Sequence, residues 1–177
     1  MNPSRTDAKQ AVFLDRDGVL NLRPPEHEYV TSVDQFAWLP GAREAVVELK
    51  RCGWKVAVVS NQRGVALGLV SSGTLAEIER RIQRDLAPDA AIDGFFYCRH
   101  GLDEGCDCRK PRPGLIVHAA AELGVEPERS WMIGDEESDV AAGRAAGCST
   151  ILLSPAAPGT AADLVEPDLA AAARSLC

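Results

Sequence analysis

The sequence has no long hydrophobic run: no apolar stretch approaches the roughly 20 residues that a membrane-spanning helix needs. Segment 1–10 also lacks the apolar core of a secretory signal. The sequence therefore predicts a cytoplasmic protein with no membrane partner, in which residues 1–9 are flexible. The 177 residues, 46% hydrophobic and 25% charged, are typical of one globular domain over 1–177 and exclude a wholly disordered chain.

Positive charge is scarce as well. Lysine and arginine total 19 against 26 aspartate and glutamate residues, which gives a formal net charge of −7. An acidic chain is a poor general binder of nucleic acid, so no nucleic-acid partner is predicted. An anionic ligand would need a bound cation or a local basic cluster to attract it. Because no long apolar stripe is left over for an interface, we also expect a monomer.

Short apolar runs alternate with helical patterns along the chain. This alternation predicts an α/β fold, in which a Rossmann-like parallel sheet carries helices on both faces. The spacing of the polar motifs leaves no room for a large cap domain. Strands are predicted at 11–14, 56–59, 95–97, 131–133, 150–153 and 164–165; helices are predicted from Pro40–Gly41 to just before Gly53, and at 72–86, 113–123, 138–146 and 169–176.

Polar side chains stand where three of these strands end, at Asp15, Ser60 and Asp135. In a parallel sheet, ligands gather at the carboxyl ends of the strands. Asp15 and Asp17, followed by Gly18, can hold a divalent cation, or can act as nucleophile and general acid/base. The alternative for this segment alone is an ordinary surface turn.

A basic pair and a second acidic motif add to this set. Lys110 beside two carboxylates could neutralise them, and Arg109 could bind a second phosphate in a bidentate way. Both could instead lie on a solvated basic surface. Asp135 could complete a Mg²⁺ site with Asp15 and the backbone carbonyl of Asp17. Asp139 could orient Lys110, although the acidic motif would also suit the first turn of a helix.

Half of the six cysteines cluster with one of only three histidines. Together they offer a complete tetrahedral ligand set for structural Zn²⁺ within one loop. A disulfide is the competitor, but the Cys-x-Cys spacing gives poor bridge geometry. The predicted zinc ligands are Cys98, His100, Cys106 and Cys108, and the remaining Cys52, Cys148 and Cys177 are interpreted as ordinary thiols.

Taken in order, these segments resemble the motifs of the haloacid dehalogenase superfamily of phosphotransferases. The segment 13–19 is similar to the first motif, 58–61 to the second, Lys110 to the lysine of the third, and Gly134-Asp135-x3-Asp139 to the fourth. Superfamily members that act as dehalogenases lack the second aspartate of the first motif. The presence of Asp17 therefore points to phosphoryl transfer.

Segments 15–21, 60–66 and 106–114 narrow the resemblance to the heptose 1,7-bisphosphate 7-phosphatase family, with histidinol-phosphate phosphatases as relatives. The resemblance implies Mg²⁺-dependent removal of the 7-phosphate through an aspartyl-phosphate, and a small phosphorylated sugar as partner. It implies these roles: Asp15 as nucleophile; Asp17 as acid/base; Ser60 and Lys110 on the phosphoryl group; Asp15, Asp17 and Asp135 on Mg²⁺; and Arg16, Asn61, Gln62, Arg63 and Arg109 on the substrate.

Several other functions stay open at this stage. A histidinol-phosphate phosphatase, or a phosphatase of another small sugar phosphate, would use the same chemistry. A receiver-type signalling module would also place carboxylates, Mg²⁺ and a lysine on a parallel sheet, and would form a stable phospho-aspartate. A zinc-stabilised binding module would need no catalytic aspartate. Loops 20–30 and 62–68 and the zinc loop are the expected determinants of substrate choice.

Overall fold

The computed structural model describes residues 9–86, 88 and 90–177, so of the segment 1–9 that was predicted to be flexible only Lys9 lies among the described residues. The Lys9 carbonyl accepts a hydrogen bond from the Glu126 N–H at 2.8 Å. Each predicted strand and helix is present. The elements are β1 (Ala11–Leu14), α1 (Ala42–Arg51), β2 (Lys55–Asn61), α2 (Ser72–Leu86), β3 (Gly94–Cys98), α3 (Gly114–Leu123), β4 (Trp131–Gly134), α4 (Glu137–Ala146), β5 (Ser149–Leu153), β6 (Leu164–Glu166) and α5 (Leu169–Leu176). Short 3-10 helices at Val33–Gln35, Leu102–Glu104 and Pro127–Arg129 add turns that apolar periodicity does not reveal.

The six strands form one parallel sheet in the order β3-β2-β1-β4-β5-β6. β1 lies in the middle, where Leu14 pairs with Val58 on β2 and with Ile133 on β4. The carboxyl ends of these three strands therefore share one edge of the sheet. This register brings together the polar residues that follow them, as the sequence predicts.

Alternate residues of β1 face two separate hydrophobic layers. Val12 and Leu14 pack in the layer that contains α1, α2 and α5. Ala11 and Phe13 pack in the layer that contains α3 and α4. Because helices cover both faces, every residue of β1 is buried and the strand is apolar throughout. The prediction of helices on both faces is confirmed.

Loops, and no inserted domain, surround the carboxyl edge of the sheet in the part of the chain that the structure describes. They run through 15–41, 62–71 and 99–113. Among the helices described, none has the length and apolar character that crossing a membrane requires. Access to the sheet edge is therefore controlled by loops.

Two cysteines correct the sequence-based interpretation. Cys52 directly follows α1 and Cys177 directly follows α5, and these two helices pack together. The two residues form a disulfide, with their Cα atoms 5.8 Å apart across a sequence separation of 125. The interpretation of both as ordinary thiols is wrong, because helix packing and not local spacing brings them together. Cys148 is a buried free thiol.

Candidate active site

The loop after β1 turns sharply against the loop after β4. Gly18 adopts a φ of +89°, and a Cβ there would lie 2.0 Å from Asp135 Oδ2. Only glycine fits this contact, because a side chain would collide with the carboxylate and would also strain the backbone. Asp15 is almost completely buried beside it and accepts a hydrogen bond from the Arg16 N–H at 2.8 Å. The turn thus holds Asp15 next to Asp135.

Lys110 forms the cationic centre of the site. Its Nζ lies 3.0 Å from Asp15 Oδ1 and 2.7 Å from Asp139 Oδ1, and donates to the Val59 carbonyl at 2.9 Å. Burial alone would lower the pKa of Lys110, but the charges of Asp15 and Asp139 raise it above its ordinary value. Lys110 is therefore a permanent positive charge against the proposed nucleophile, as the sequence predicts for its position.

Asn61 fixes the backbone of Lys110. Its Nδ2 donates to the Lys110 carbonyl and its Oδ1 accepts from the Lys110 N–H, both at 3.1 Å. This side chain lines the cavity described below, but its amide is committed to Lys110 on both atoms. The structure thus assigns Asn61 a positioning contact in addition to the predicted substrate contact.

Three carboxylates meet around Lys110. One oxygen from each of Asp15, Asp135 and Asp139 lies within 4.8 Å of the others. Burial raises the pKa of Asp135 to about 7, with the Arg23 charge opposing the rise and the neighbouring carboxylates adding to it. Burial likewise raises the pKa of Asp139 to about 6, against the charge of Lys110. Three carboxylate oxygens this close together suit a hard divalent cation.

Arg23 is a site residue that the sequence analysis did not single out. Its side chain is 41% exposed, and its Nη2 donates to Asp135 Oδ1 at 2.8 Å, while Nη1 bonds to Glu136. The only sequence signal is its place in the loop 20–30, an expected determinant of substrate choice. Residues of this loop line the cavity.

A cavity of about 250 Å³ opens above these groups. It brings together all four predicted catalytic residues and two of the predicted substrate residues, and Arg23 and Tyr29 also line it. The predicted site residues that line it are Asp15, Asp17, Ser60, Asn61, Gln62 and Lys110.

Three predicted substrate residues do not line this cavity: Arg109, which lines a second cavity described below, Arg16 and Arg63. Arg16 is completely buried, and its guanidinium turns inward to bind Asp17. The structure therefore places it behind Asp17 and away from any substrate, contrary to the prediction. Arg63 is half-buried, and its Nε has no hydrogen-bond partner among the described residues.

A second cavity, of about 430 Å³, shares Lys110 with the first in its lining. Arg109 and Arg112 contribute two guanidinium groups to its wall. Arg109 Nη1 donates to the His100 carbonyl at 3.3 Å, which leaves most of its donors free. These two arginines could bind an anionic group of a ligand through charge-assisted hydrogen bonds.

The Cys/His cluster lies beside the second cavity. The Sγ of Cys98 is 3.7 Å from His100 Nδ1 and 3.6 Å from Cys106 Sγ, and His100 Nδ1 is 3.2 Å from Cys108 Sγ. Tetrahedral Zn²⁺ with bonds of about 2.0–2.3 Å requires ligand–ligand separations of about 3.3–3.8 Å. Burial and the neighbouring sulfurs raise the pKa of the Cys108 thiol to about 12. Burial opposes ionisation of Cys106 too, but hydrogen bonds from the Arg109 backbone and the neighbouring thiols lower its pKa. A bound cation would hold Cys108 as a thiolate.

Comparison with known proteins identifies the family. A family model described as HAD-hydrolase-like matches residues 107–172. The D-glycero-beta-D-manno-heptose-1,7-bisphosphate 7-phosphatase of Pasteurella multocida is 38% identical over 160 residues, 86% of this chain and 85% of the relative. The D-glycero-alpha-D-manno-heptose-1,7-bisphosphate 7-phosphatase of Mycobacterium tuberculosis is 39% identical over 170 residues, 92% of this chain and 89% of the relative.

A solved structure agrees with these relatives. The crystal structure of D,D-heptose 1,7-bisphosphate phosphatase from B. bronchiseptica, complexed with magnesium and phosphate, superposes with a TM-score of 0.83 at 34% identity. The match covers 94% of this chain and 97% of that one. The chain therefore belongs to the heptose-1,7-bisphosphate 7-phosphatases, a family of phosphatases within the haloacid dehalogenase-like hydrolases.

Proposed function

We propose that this chain removes the 7-phosphate of D-glycero-D-manno-heptose 1,7-bisphosphate, with Mg²⁺, through an aspartyl-phosphate on Asp15. The observation that carries the proposal is Asp15 at the floor of the cavity, with Lys110 Nζ at 3.0 Å and Asp17 on the same wall. A nucleophile, a cation and a proton donor then face one bound phosphoryl group. We also propose that residues 1–177 form a single uncapped, monomeric domain.

The donor set fits Mg²⁺ in the manner that the family resemblance implies. The ligands would be Asp15, Asp135 and the backbone carbonyl of Asp17, with Asp139 close by. When bound, Mg²⁺ would neutralise charge on the phosphate and on the carboxylates, so that two anions can approach each other. A magnesium and phosphate complex is known for the B. bronchiseptica relative.

The reaction that we propose has two halves. Asp15 attacks phosphorus, and the sugar oxygen leaves with a proton from Asp17. Asp17 then takes a proton from water, which attacks the aspartyl-phosphate and releases inorganic phosphate. Ser60 and Lys110 hold the phosphoryl oxygens, since both are buried at the cavity floor. Catalysis of this kind is mainly positioning and electrostatic stabilisation.

We propose that Cys98, His100, Cys106 and Cys108 hold a structural Zn²⁺. Four protein ligands leave no position open for a substrate, so the ion would stiffen the loop and take no part in chemistry. The loop leads directly into Arg109 and Lys110, which follow Cys108. The metal would therefore hold Arg109 and Lys110 in their positions in the cavity walls.

The second cavity supports a bisphosphate as substrate. With one phosphate at Asp15, the other would reach the guanidinium groups of Arg109 and Arg112. The test measures phosphate release with Mg²⁺ from both anomers of heptose 1,7-bisphosphate and from histidinol phosphate. We expect the bisphosphate to be preferred, and a preference for histidinol phosphate would keep the chemistry but overturn this substrate.

Arg109→Ala should act selectively on the substrate's distal phosphate. Loss of a charge-assisted hydrogen bond costs about 1.5–3 kcal/mol, so kcat/KM for the bisphosphate should fall roughly 10–100-fold. Heptose 7-phosphate, which has no 1-phosphate, is the matched control and should change less than about threefold. Equal losses on both substrates would contradict the assignment of Arg109 to the distal phosphate.

Gly134→Ala should disturb the pair of Lys110 and Asp139. A Cβ at Gly134 would lie 2.1 Å from Asp139 Oδ2 and 2.2 Å from Asp139 Cβ, so Asp139 must move. Overpacking of about 1–3 kcal/mol predicts a Tm about 5 °C lower, and displacement of Asp139 should lower kcat at least about tenfold. Gly73→Ala is the control, since its nearest contact is 3.4 Å from Ser71 Oγ. An unchanged kcat in Gly134→Ala would show that Asp139 does not position Lys110.

A further inference from the structure

Arg16 is a buried arginine inside the loop that carries the two catalytic aspartates. Its carbonyl accepts hydrogen bonds from the N–H groups of Val19, Leu20 and Asn21 at 3.3, 2.8 and 3.1 Å. These bonds wrap the loop around Arg16 and fix the direction of its side chain. The guanidinium points into the protein, with no exposed surface. Arg16 therefore cannot turn toward the cavity without unfolding the loop.

The close hydrogen bonds of this guanidinium within the described residues go to Asp17, and the Tyr97 side chain lies near it. Nη2 donates to Asp17 Oδ1 at 2.9 Å and to Oδ2 at 3.0 Å, and Nε donates to Oδ1 at 3.2 Å. Nη1 is buried without a hydrogen-bond partner among the described residues, as is the Tyr97 hydroxyl. Burying a guanidinium is costly unless its donors are used, and Asp17 takes the close hydrogen bonds of Arg16. The charge of Glu79 and the Tyr97 side chain also act on this guanidinium.

Two amides hold Asp17 from its other sides. Asn21 Nδ2 donates to Asp17 Oδ1 at 2.9 Å, and Gln62 Nε2 donates to Oδ2 at 3.0 Å. Gln62 Nε2 also donates to Ser60 Oγ at 3.1 Å, which ties this contact to the phosphoryl-binding residue. Arg16, Asn21 and Gln62 together are called the Asp17 cradle. The carboxyl group is 21% exposed, and Asp17 lines the catalytic cavity.

We infer that the Asp17 cradle is a positioning device, led by Arg16, that aims the Asp17 carboxyl group at the leaving oxygen of the substrate. The inference rests on the proposed function, in which Asp17 is the general acid. As the P–O bond breaks, the Asp17 O–H proton passes to the leaving oxygen, and an Asp17 carboxylate remains. The cradle donors already bind both oxygens of that carboxylate. Arg16 thus acts through Asp17 and does not touch the substrate.

Leaving groups of different basicity test this role. A sugar alkoxide needs a proton to leave, whereas p-nitrophenolate leaves without one. Values of kcat/KM report the steps up to departure of the leaving group, so the later hydrolysis does not mask the effect. General acid catalysis contributes about 10²–10⁴-fold. Arg16→Lys replaces the planar guanidinium, which donates to both oxygens of Asp17, with a single ammonium group. This change should lower kcat/KM for heptose 1,7-bisphosphate at least about 30-fold.

The same variant should change kcat/KM for p-nitrophenyl phosphate less than about threefold, because p-nitrophenolate leaves without a proton and so does not depend on how Asp17 is aimed. Asn21→Leu is the second variant, since Asn21 is a cradle donor that does not line the catalytic cavity, and it keeps the test decisive if Arg16→Lys fails to fold by circular dichroism. It removes one cradle donor at nearly constant volume and should show the same selectivity, at about tenfold. Losses that are equal for the two esters in the folded variants would make the cradle purely structural, and would overturn the inference.

Asp17→Asn separates failure of the inference from failure of the proposed function. If Asp17→Asn itself shows no selectivity between the two esters, the assignment of Asp17 as the general acid is wrong. If Asp17→Asn is selective and the cradle variants are not, only the inference fails. The double variant Arg16→Lys/Asp17→Asn should be no slower than Asp17→Asn alone, since residues that act through one group are not additive.

Discussion

Replacing Asp15 with asparagine is expected to lower kcat for heptose 1,7-bisphosphate by at least about 10⁴-fold, because the amide is no nucleophile. The change is nearly isosteric, and the Arg16 N–H and Lys110 Nζ can still donate to the remaining oxygen. Folding should therefore be preserved. Steady-state phosphate release measures the loss, and rapid quenching with labelled substrate should trap a phosphoenzyme in the wild type only.

Asp34→Asn is the matched control, because Asp34 is exposed in the 3-10 helix Val33–Gln35 and does not line the catalytic cavity. It should leave kcat unchanged. Turnover of Asp15→Asn within about tenfold of the wild type would contradict the assignment of the nucleophile. A wild-type phosphoenzyme that persists with little turnover would instead favour the receiver-type signalling function.

Removal of zinc is expected to have the second largest effect. Structural zinc sites commonly contribute about 10 kcal/mol or more to the folding of their own segment. Cys106→Ser should therefore make the loop 98–108 mobile, lower the Tm by about 5–10 °C and lower kcat at least about 100-fold. We expect the loss of kcat because Lys110 lies only two residues after the last proposed zinc ligand, Cys108, and would be displaced together with the loop.

Metal analysis provides the direct measurement: one zinc per chain in the wild type and none in Cys106→Ser. Cys148→Ala is the control, since Cys148 is buried in the hydrophobic layer with α3 and α4 and is no part of the cluster. It should keep its zinc. After chelation, Mg²⁺ alone should not restore the activity of the wild type, whereas Mg²⁺ with Zn²⁺ should. Full recovery with Mg²⁺ alone would rule out a zinc requirement.

Local signals made most of the fold predictable from the sequence. The helix predicted over 72–86 has its observed bounds, because its buried residues Leu75, Ile78 and Ile82 repeat with helical spacing. The strands were recognised as short apolar runs, since both faces of the sheet are covered. The Cys52–Cys177 disulfide could not be predicted, because it depends on how α1 packs against α5 and on no local pattern.

The candidate site also has one part that the sequence predicts and one part that it does not. The clustering of Asp15, Lys110 and Asp139 follows from the rule that parallel strands end at one edge, and the structure shows it. The direction of a side chain is not part of that rule. Arg16 stands between the proposed nucleophile and the proposed acid/base in sequence and was predicted to contact the substrate, yet the loop turns its side chain inward. Arg23 needed the path of the loop 23–30 before its contact with Asp135 could be seen.

The central position of β1 has a consequence for how the chain folds. β1 pairs on one side with β2, but its other edge stays open until β4, Trp131–Gly134, is in place. Such long-range parallel pairings form slowly, because a large loop must close before any contact stabilises it. Until then, an apolar strand edge is available to other chains. Nascent or partly refolded molecules are therefore expected to self-associate through the strand that carries the catalytic loop.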